Sequence, residues 1–187
     1  NYSFEGKTIQ LGADVVMDEG VDWMPIGSAT VSFKGTFDGE DPNTHKIHSI
    51  SKLYTNLSQE NVGLFGYTDN AIVRNIKLFD SSFTGSKYVG AVVGYNSNST
   101  VDTVYVEANV TSKTGGRVGG VVGRLEGGLV NNCAFDGTVE LKASEQYLAA
   151  YSCIRQLSFG YLDMAWHGIN EKFDGNESFK KVTYEWN

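Results

Sequence analysis

The stretch Val89-Gly90-Ala91-Val92-Val93-Gly94 decides the fold, because altered copies of it occur on both sides. The clear copies are Val62-Gly63-Leu64-Phe65-Gly66 and Val118-Gly119-Gly120-Val121-Val122-Gly123, and the weaker ones are Gly35-Thr36-Phe37-Asp38-Gly39 and Tyr147-Leu148-Ala149-Ala150-Tyr151-Ser152-Cys153. The copies close at positions 39, 66, 94, 123 and 153, so the spacing grows from 27 to 30 residues. A repeat of this length predicts a solenoid with one coil per copy.

A second apolar run with the register V-x-[NT]-I-x-L follows each clear copy. Its members are Val73-Arg74-Asn75-Ile76-Lys77-Leu78, Val101-Asp102-Thr103-Val104-Tyr105-Val106 and Val130-Asn131-Asn132-Cys133-Ala134-Phe135, with Ile47–Leu53 in the equivalent place upstream. The period of two predicts strands, with Val104 and Val106 on one face and Tyr105 on the other. A further apolar residue follows each run: Phe83, Val110 and Val139. Stacked at about 4.8 Å, such strands form an all-β, parallel β-solenoid of about five coils.

One position of the second run is polar in each coil, and its members are Ser49, Asn75, Thr103 and Asn132. Inward side chains at this position would bond the backbone of neighbouring coils, whereas a solvated turn would place them outside. Both interpretations remain open.

The ends of the chain extend the pattern. Ile9, Leu11, Ala13 and Val15 alternate strictly, which predicts a first strand. Phe159, Leu162, Met164 and Ile169 repeat the spacing of the second run if one deletion is allowed, although a short helix over 143–157 is an alternative. The aromatic tail from Phe173 to Trp186 predicts a cap over the last coil. We therefore expect a single domain over 1–187, with coils over about 8–170 and a cap over about 171–187.

Composition narrows the functional classes. The 187 residues carry a net charge of −7 and no basic cluster, which argues against nucleic-acid partners and against binding to anionic membranes. No segment is long and apolar enough to span a membrane. The chain starts without Met or a signal peptide, which predicts a processed or excised fragment. Cys133 and Cys153 occupy packing positions of the repeat, so we expect two reduced, buried thiols.

Several motifs resemble the GLUG-motif repeats of bacterial surface proteins. Gly63-Leu64-Phe65-Gly66 with the following Ile72–Leu78 strand carries the likeness, and further elements support it upstream. Leu11–Val15 is similar to the L-x-A-D-I strand of the family, Trp23–Gly27 to its W-x-P-I-G turn, and Phe33–Gly39 with His45–Ile47 to its F-x-G-T-F-D-G…H-x-I segment. The likeness covers most of residues 8–142. Asp41–Thr44 lengthens a turn that is usually short in the family.

The resemblance implies a secreted or surface-attached β-solenoid of the kind common in Bacteroidetes and in Gram-positive surface proteins. Such regions occur in adhesin-like proteins and beside immunoglobulin A protease-like metallopeptidases, and they imply no catalytic residues. The expected location is extracellular or at the cell surface, and the expected partner is a host or cell-surface glycan or protein.

Candidate metal ligands are few. His45, His48 and His167 do not have zinc spacing, and the chain has no H-E-x-x-H motif, so we expect structural or surface histidines and no metal site. Asp38, Glu40 and Asp41 are a candidate calcium set, because calcium takes six or more oxygen ligands. The same segment is also typical of an ordinary acidic turn.

Two outward columns follow from the repeat. Tyr67, Tyr95 and Arg124 each follow a closing glycine, and they predict a ladder that binds a sugar or peptide or simply stabilises the sheet. Arg74, Asp102 and Asn131 form another column, in which a surface ion pair between Arg74 and Asp102 is expected.

Two functions remain as hypotheses. The first is a non-catalytic adhesion or spacer module of a cell-envelope protein, with no cofactor. The second is a carbohydrate-active β-helix enzyme or the accessory region of a metallopeptidase, which would need carboxylates and a base on one face.

Overall fold

The computed structural model describes residues 2–18, 20–114 and 116–142, together with the backbone of 146–148 and 182–183. These residues form sixteen β-strands, and the described part of the chain contains no helix. The strands are β1 (Thr8–Gln10), β2 (Val15–Val16), β3 (Thr36–Asp38), β4 (Ser49–Ser51), β5 (Tyr54–Asn56), β6 (Asn61–Val62), β7 (Phe65–Asp69), β8 (Ile72–Gly85), β9 (Tyr88–Gly90), β10 (Val93–Ser97), β11 (Thr100–Ser112), β12 (Gly116–Gly119), β13 (Val122–Glu126), β14 (Leu129–Leu141), β15 (Gln146–Leu148) and β16 (Val182–Thr183).

Three sheets run along the stack of coils. The long sheet has the order β1-β3-β8-β11-β14-β16, with β2, β4 and β5 completing its first two turns. The second sheet has the order β7-β10-β13 and the third has the order β6-β9-β12-β15. Every pairing is parallel except that of β14 with β16. This arrangement confirms the predicted all-β parallel solenoid of about five coils.

The second apolar run has the predicted register. Val104 of β11 pairs with Ile76 of β8 and with Cys133 of β14. All three side chains are buried, while Tyr105 beside Val104 is exposed. The next apolar position also agrees, because Val110 pairs with both Phe83 and Val139. Each inward residue therefore packs on its equivalents in the neighbouring coils, which removes a continuous apolar core from water.

The polar position of this run does not face the core. Thr103 and Asn132 are exposed and Asn75 is half-buried, and the φ angles of all three lie in the left-handed region, at 55°, 49° and 56°. Asparagine adopts this conformation more readily than other residues with a side chain. The structure therefore favours the outside position over the inward one. Ser49 does not belong to the ladder, because it pairs with Lys77.

The predicted register of the first copy is wrong. Phe37 pairs with Val73, while Ile26 forms a bridge with Phe65, so Gly27 rather than Gly39 is the counterpart of Gly66. The cause is an insertion. Ten residues separate Asp38 from Ser49, whereas two separate their partners Arg74 and Lys77, so eight extra residues form a loop over 40–47.

The N-terminal strand is also shorter than its alternation predicted. Instead of one strand, the segment forms β1, which pairs with β3, and β2, which pairs with β4. Leu11 and Ala13 lie between the two strands, where the chain bends. The reason is local: the carboxylate of Asp14 accepts hydrogen bonds from Lys46, His48 and the Ser49 amide at this point, and the bend brings it there.

The C-terminal repeat is supported where the structure describes it. Tyr147 and Leu148 pair with Arg117 and Val118, which in turn pair with Tyr88 and Val89. This strand favours the repeat interpretation of that segment over the helix. On the outer edge of β14, Val182 pairs antiparallel with Val139. Cys153, the run from Phe159 to Ile169 and the rest of the predicted cap lie outside the described residues.

Exchanging Val104 for Asp tests the inward face. The change places a carboxylate in a core position that is 3 % exposed, and we expect it to lower the free energy of unfolding by more than about 4 kcal/mol. The matched control Tyr105→Asp changes the adjacent outward position and should leave most of the stability intact. Chemical denaturation of both variants provides the measurement, and equal losses would show that Val104 does not face inward.

Exchanging Gly94 for Ala tests the closing glycine. A Cβ atom at position 94 would lie 2.5 Å from the backbone nitrogen of Val62, so β10 and β6 would have to separate. We expect a loss of about 3 kcal/mol in unfolding free energy. At Gly12, where a Cβ atom would meet nothing within 4 Å, the same exchange should be neutral or stabilising by up to about 1 kcal/mol. A Gly94 variant as stable as the Gly12 variant would contradict this role.

Candidate ligand-binding surface

The predicted ladder of Tyr67, Tyr95 and Arg124 forms on the outer face of the second sheet. Tyr95 pairs with Tyr67 in the coil below and with Arg124 in the coil above. The two tyrosine rings stack with centroids 4.4 Å apart and planes inclined by 12°. The Arg124 guanidinium carbon lies 4.6 Å from the centre of the Tyr95 ring. The structure therefore brings together all three residues of the predicted ladder.

The stacking decides what the ladder can present to a ligand. One face of the Tyr95 ring is covered by Tyr67 and the other by Arg124, since these residues occupy the coils on either side. A sugar that packs flat on an aromatic ring needs an open ring face. Tyr95 instead offers its edge, and its hydroxyl group is already bonded to Glu126.

Tyr88 joins the ladder across the corner between the third and second sheets. Its ring meets Tyr95 edge-on at 5.4 Å, and its hydroxyl accepts a hydrogen bond of 2.9 Å from Arg124 Nη1. Lys87 Nζ lies 5.1 Å from the ring centre. Tyr88 was not predicted as a member of the ladder. The signal for it was the residue before each V-G or L-A pair, which is Asn61, Tyr88, Arg117 or Tyr147 in successive copies.

Arg117 occupies the position above Tyr88 in the third sheet. Its backbone amide bonds to Lys87, but within the described part of the chain no acceptor lies within hydrogen-bonding distance of its guanidinium. Arg124 differs, because its Nη2 lies 2.9 Å from Glu126. Among the described residues, Arg117 is therefore a partly exposed cation whose guanidinium has no hydrogen-bonded counter-charge.

The candidate calcium carboxylates serve the inserted loop. Asp38 is buried and accepts hydrogen bonds from Arg74 Nε at 2.8 Å, Asn75 Nδ2 at 2.8 Å and the Glu40 amide at 3.0 Å. Asp41 accepts from the Asn43 amide at 2.7 Å. The residues that the structure describes contain no group of three or more His, Cys, Asp or Glu side chains arranged for a metal ion. All three candidate carboxylates accept hydrogen bonds from N–H groups, Glu40 from His45 and Asn75, as the acidic-turn interpretation expects.

His45 lies in the inserted loop. His48, which the run Ile47–Leu53 placed on a strand, directly follows the loop and precedes β4. His45 is exposed and its Nδ1 lies 2.8 Å from Glu40. His48 is buried; its Nδ1 donates to Asp14 at 3.1 Å, and its Nε2 lies 3.8 Å from Asp41 Oδ2. His48 therefore ties the loop to the first coil. His167 lies outside the described residues.

Hydrogen bonds lower the pKa of three carboxyl groups around this loop. The Ser49 backbone amide, followed by the His48 side chain, holds the pKa of Asp14 far below its ordinary value of 3.8. The Asn43 amide lowers the pKa of Asp41 in the same way. Burial raises the pKa of Asp38, but the hydrogen bonds from Asn75, Glu40 and Arg74 outweigh it and the net change is downward.

The column of Arg74, Asp102 and Asn131 has the predicted register but a different ion pair. Arg74 pairs with Asp38 in the coil below rather than with Asp102. Asp102 accepts a hydrogen bond of 2.9 Å from Asn132 Nδ2. The buried Asp38 needs a counter-charge more than the partly exposed Asp102 does, because burial penalises an unpaired carboxylate.

The comparison with protein families agrees with this geometry. Residues 114–140 match the family described as the GLUG motif. One coil of this chain is therefore similar to the GLUG motif. The match begins before β12, includes β13 and ends near the end of β14, so it covers one turn of the solenoid. Gly120-Val121-Val122-Gly123 lies in it at the position of Gly63-Leu64-Phe65-Gly66.

Two further comparisons gave no match: none to a curated protein and none to a solved structure. Among the described residues, no helix is long and apolar enough to cross a membrane.

The three lowered pKa values predict how stability depends on pH. A carboxyl group whose pKa is lower in the folded state stabilises the protein above its unfolded pKa, and this contribution is lost as the pH falls through the folded value. We therefore expect the unfolding temperature to decline below about pH 4. Asp14→Asn should be less stable than the parent near pH 6, and the difference should narrow at lower pH. A constant difference from pH 6 to pH 2.5, measured by thermal unfolding, would contradict the role of Asp14.

Proposed function

We propose that the chain is a non-catalytic, extracellular adhesion or spacer module of a bacterial cell-envelope protein. The proposal rests on one observation: the acidic and basic side chains that lie close together form structural contacts with one another. Asp14 and His48 anchor the inserted loop, and Asp38 and Arg74 neutralise each other between coils. The clustered acids and bases have structural partners, which is the pattern of a scaffold rather than of a site prepared for proton transfer.

The extracellular location rests on the GLUG motif and on the likeness of the chain to surface proteins. Stacked parallel coils with filled interiors form a rod with a regular polar exterior. Such a rod separates other domains in space or presents a surface to a partner. The ladder around Tyr95 favours the second role, because tyrosine and arginine are the side chains that most often contribute binding energy at interfaces.

One observation supports an enzyme as the second candidate. Asp69 and Glu126 pair with Ser97 from opposite sides, so two carboxylates lie in one outward column, about 10 Å apart at the usual strand spacing. This separation slightly exceeds the range for inverting glycosidases. Lys34 holds Asp69 at 3.0 Å and Arg124 holds Glu126 at 2.9 Å, which leaves neither carboxylate in reserve as a base.

A glycan array and a reducing-sugar release assay on the same glycans test the proposal. We expect binding without release of new reducing ends. Tyr67→Ala should weaken the binding by about tenfold, since it removes the support of Tyr95. Tyr105→Ala, which removes an exposed tyrosine from the long sheet, is the matched control and should bind like the parent. Release of reducing ends by the parent would establish the enzyme instead.

A further inference from the structure

The corner between the second and third sheets carries Lys87, Arg117 and Arg124. Glu60 pairs with Lys87 and Glu126 pairs with Arg124, so Arg117 is the cation of the three without an ion pair among the described residues. We name the surface formed by Tyr67, Tyr88, Tyr95, Arg117 and Arg124 the Tyr–Arg corner. Two arginines of one coil lie on either side of it, Arg117 on β12 and Arg124 on β13. The chain as a whole has a net charge of −7.

The Arg117 guanidinium has unused binding capacity, because it has no hydrogen-bond acceptor among the described residues. Arg124 Nε also lacks a partner there, but it is buried and out of reach of a ligand. An arginine presents five N–H donors in a fork that matches a carboxylate or sulfate group. Arg117 is partly exposed, so an anionic group from solution has access to it.

The tyrosine rings favour an anion as well. The faces of Tyr95 are covered, and Lys87 and Arg124 lie 5.1 and 5.2 Å from the centre of the Tyr88 ring. The rings of Tyr88 and Tyr95 therefore expose mainly their edges to solvent. The edge of an aromatic ring carries the positive part of its quadrupole. Positive ring edges beside a guanidinium attract an anionic group and give a neutral sugar no flat surface for stacking.

The strand pairing argues for a glycan over a peptide. Peptides that bind to a sheet by strand addition need an open edge. Here β10 is paired with β7 on one side and with β13 on the other, and β9 is paired with β6 and β12, so the strands of Tyr95 and Tyr88 have no open edge. Within the described part of the chain, β13 ends the second sheet. A glycan needs no strand edge, because the tyrosine hydroxyl groups and the guanidinium supply hydrogen bonds to its hydroxyl and carboxylate groups.

We infer that the Tyr–Arg corner binds acidic glycans, with Arg117 as the residue that holds a sugar carboxylate and the tyrosine hydroxyl groups as partners of the sugar hydroxyls. This inference rests on the proposed extracellular binding function and specifies its ligand class. Because the attraction is electrostatic, the affinity should fall with added salt.

Titration calorimetry with an oligogalacturonate tests the inference. The parent protein should bind the free-acid oligosaccharide, and its fully methyl-esterified form, which has the same sugars without charge, at least about tenfold more weakly. Arg117→Gln should lower the affinity for the acid form about tenfold, and Arg117→Lys, which keeps the charge but loses the fork, should fall between the two. Lys77→Gln removes the same charge from an exposed position of the long sheet and should bind like the parent.

Each contrary outcome has a definite meaning. Equal losses in Arg117→Gln and Lys77→Gln would overturn the site, because net charge alone would explain the binding. Equal affinity for poly-glutamate would overturn the glycan assignment. Failure of the parent to bind the acid form would overturn the inference without affecting the proposed function, which fails only if the protein releases reducing ends. Thermal unfolding of each variant confirms that it is folded, as expected because the Arg117 guanidinium bonds to no acceptor in the described part of the chain.

Discussion

The close approach of two backbones at the closing glycines determines the cross-section of the solenoid. A Cβ atom at Gly66, Gly94 or Gly123 would lie between 2.5 and 2.6 Å from the backbone of a neighbouring segment: Gly27, Val62 or Val89, respectively. No side chain fits between the second and third sheets at this point, so they meet at a tight corner. That corner brings Tyr88 within 5.4 Å of Tyr95 and places Arg124 against both rings. The candidate binding surface thus depends directly on a glycine that packs in the interior.

Parallel stacking in register gives the two faces of each strand different roles: the inward face forms the core and the outward face forms the surface. The inward columns, such as Ile76, Val104 and Cys133, must stay apolar because each residue packs on its equivalents above and below. The outward columns have no such requirement, and they differ from coil to coil. The column Tyr67, Tyr95 and Arg124 is chemically varied although its backbone geometry is constant. A regular scaffold with variable outward columns is suited to carrying a binding surface.

The fold and the ladder could be predicted from the sequence. The register of the first copy was predicted wrongly, and the contact of Tyr88 with the ladder was not predicted. Coils three to five have nearly equal lengths, so linear spacing placed Tyr95 beside Tyr67 and Arg124 correctly. Gly39 was predicted as the counterpart of Gly66 because Phe37-Asp38-Gly39 lies one repeat length before Phe65-Gly66. Spacing alone does not reveal an insertion when a similar segment lies at the expected distance. Tyr88 and Arg117 were missed for a different reason: they lie on another sheet of the same coil. The repeat length of the sequence identifies equivalent positions in successive coils. Contacts across a corner depend instead on the angle between two sheets, which the repeat length does not give.

The inserted loop explains why three carboxylates gather on the first coils. The loop leaves the long sheet, and its amides and side-chain donors require acceptors, which Asp14, Asp38 and Asp41 supply. No insertion interrupts β12 and β13, and the guanidinium of Arg117 on β12 has no hydrogen-bond acceptor among the described residues. An acidic ligand at the loop would meet carboxylates that already accept hydrogen bonds. At the corner it would meet a guanidinium that still has donors to offer, so electrostatic complementarity favours the corner although Glu126 pairs with Arg124 there.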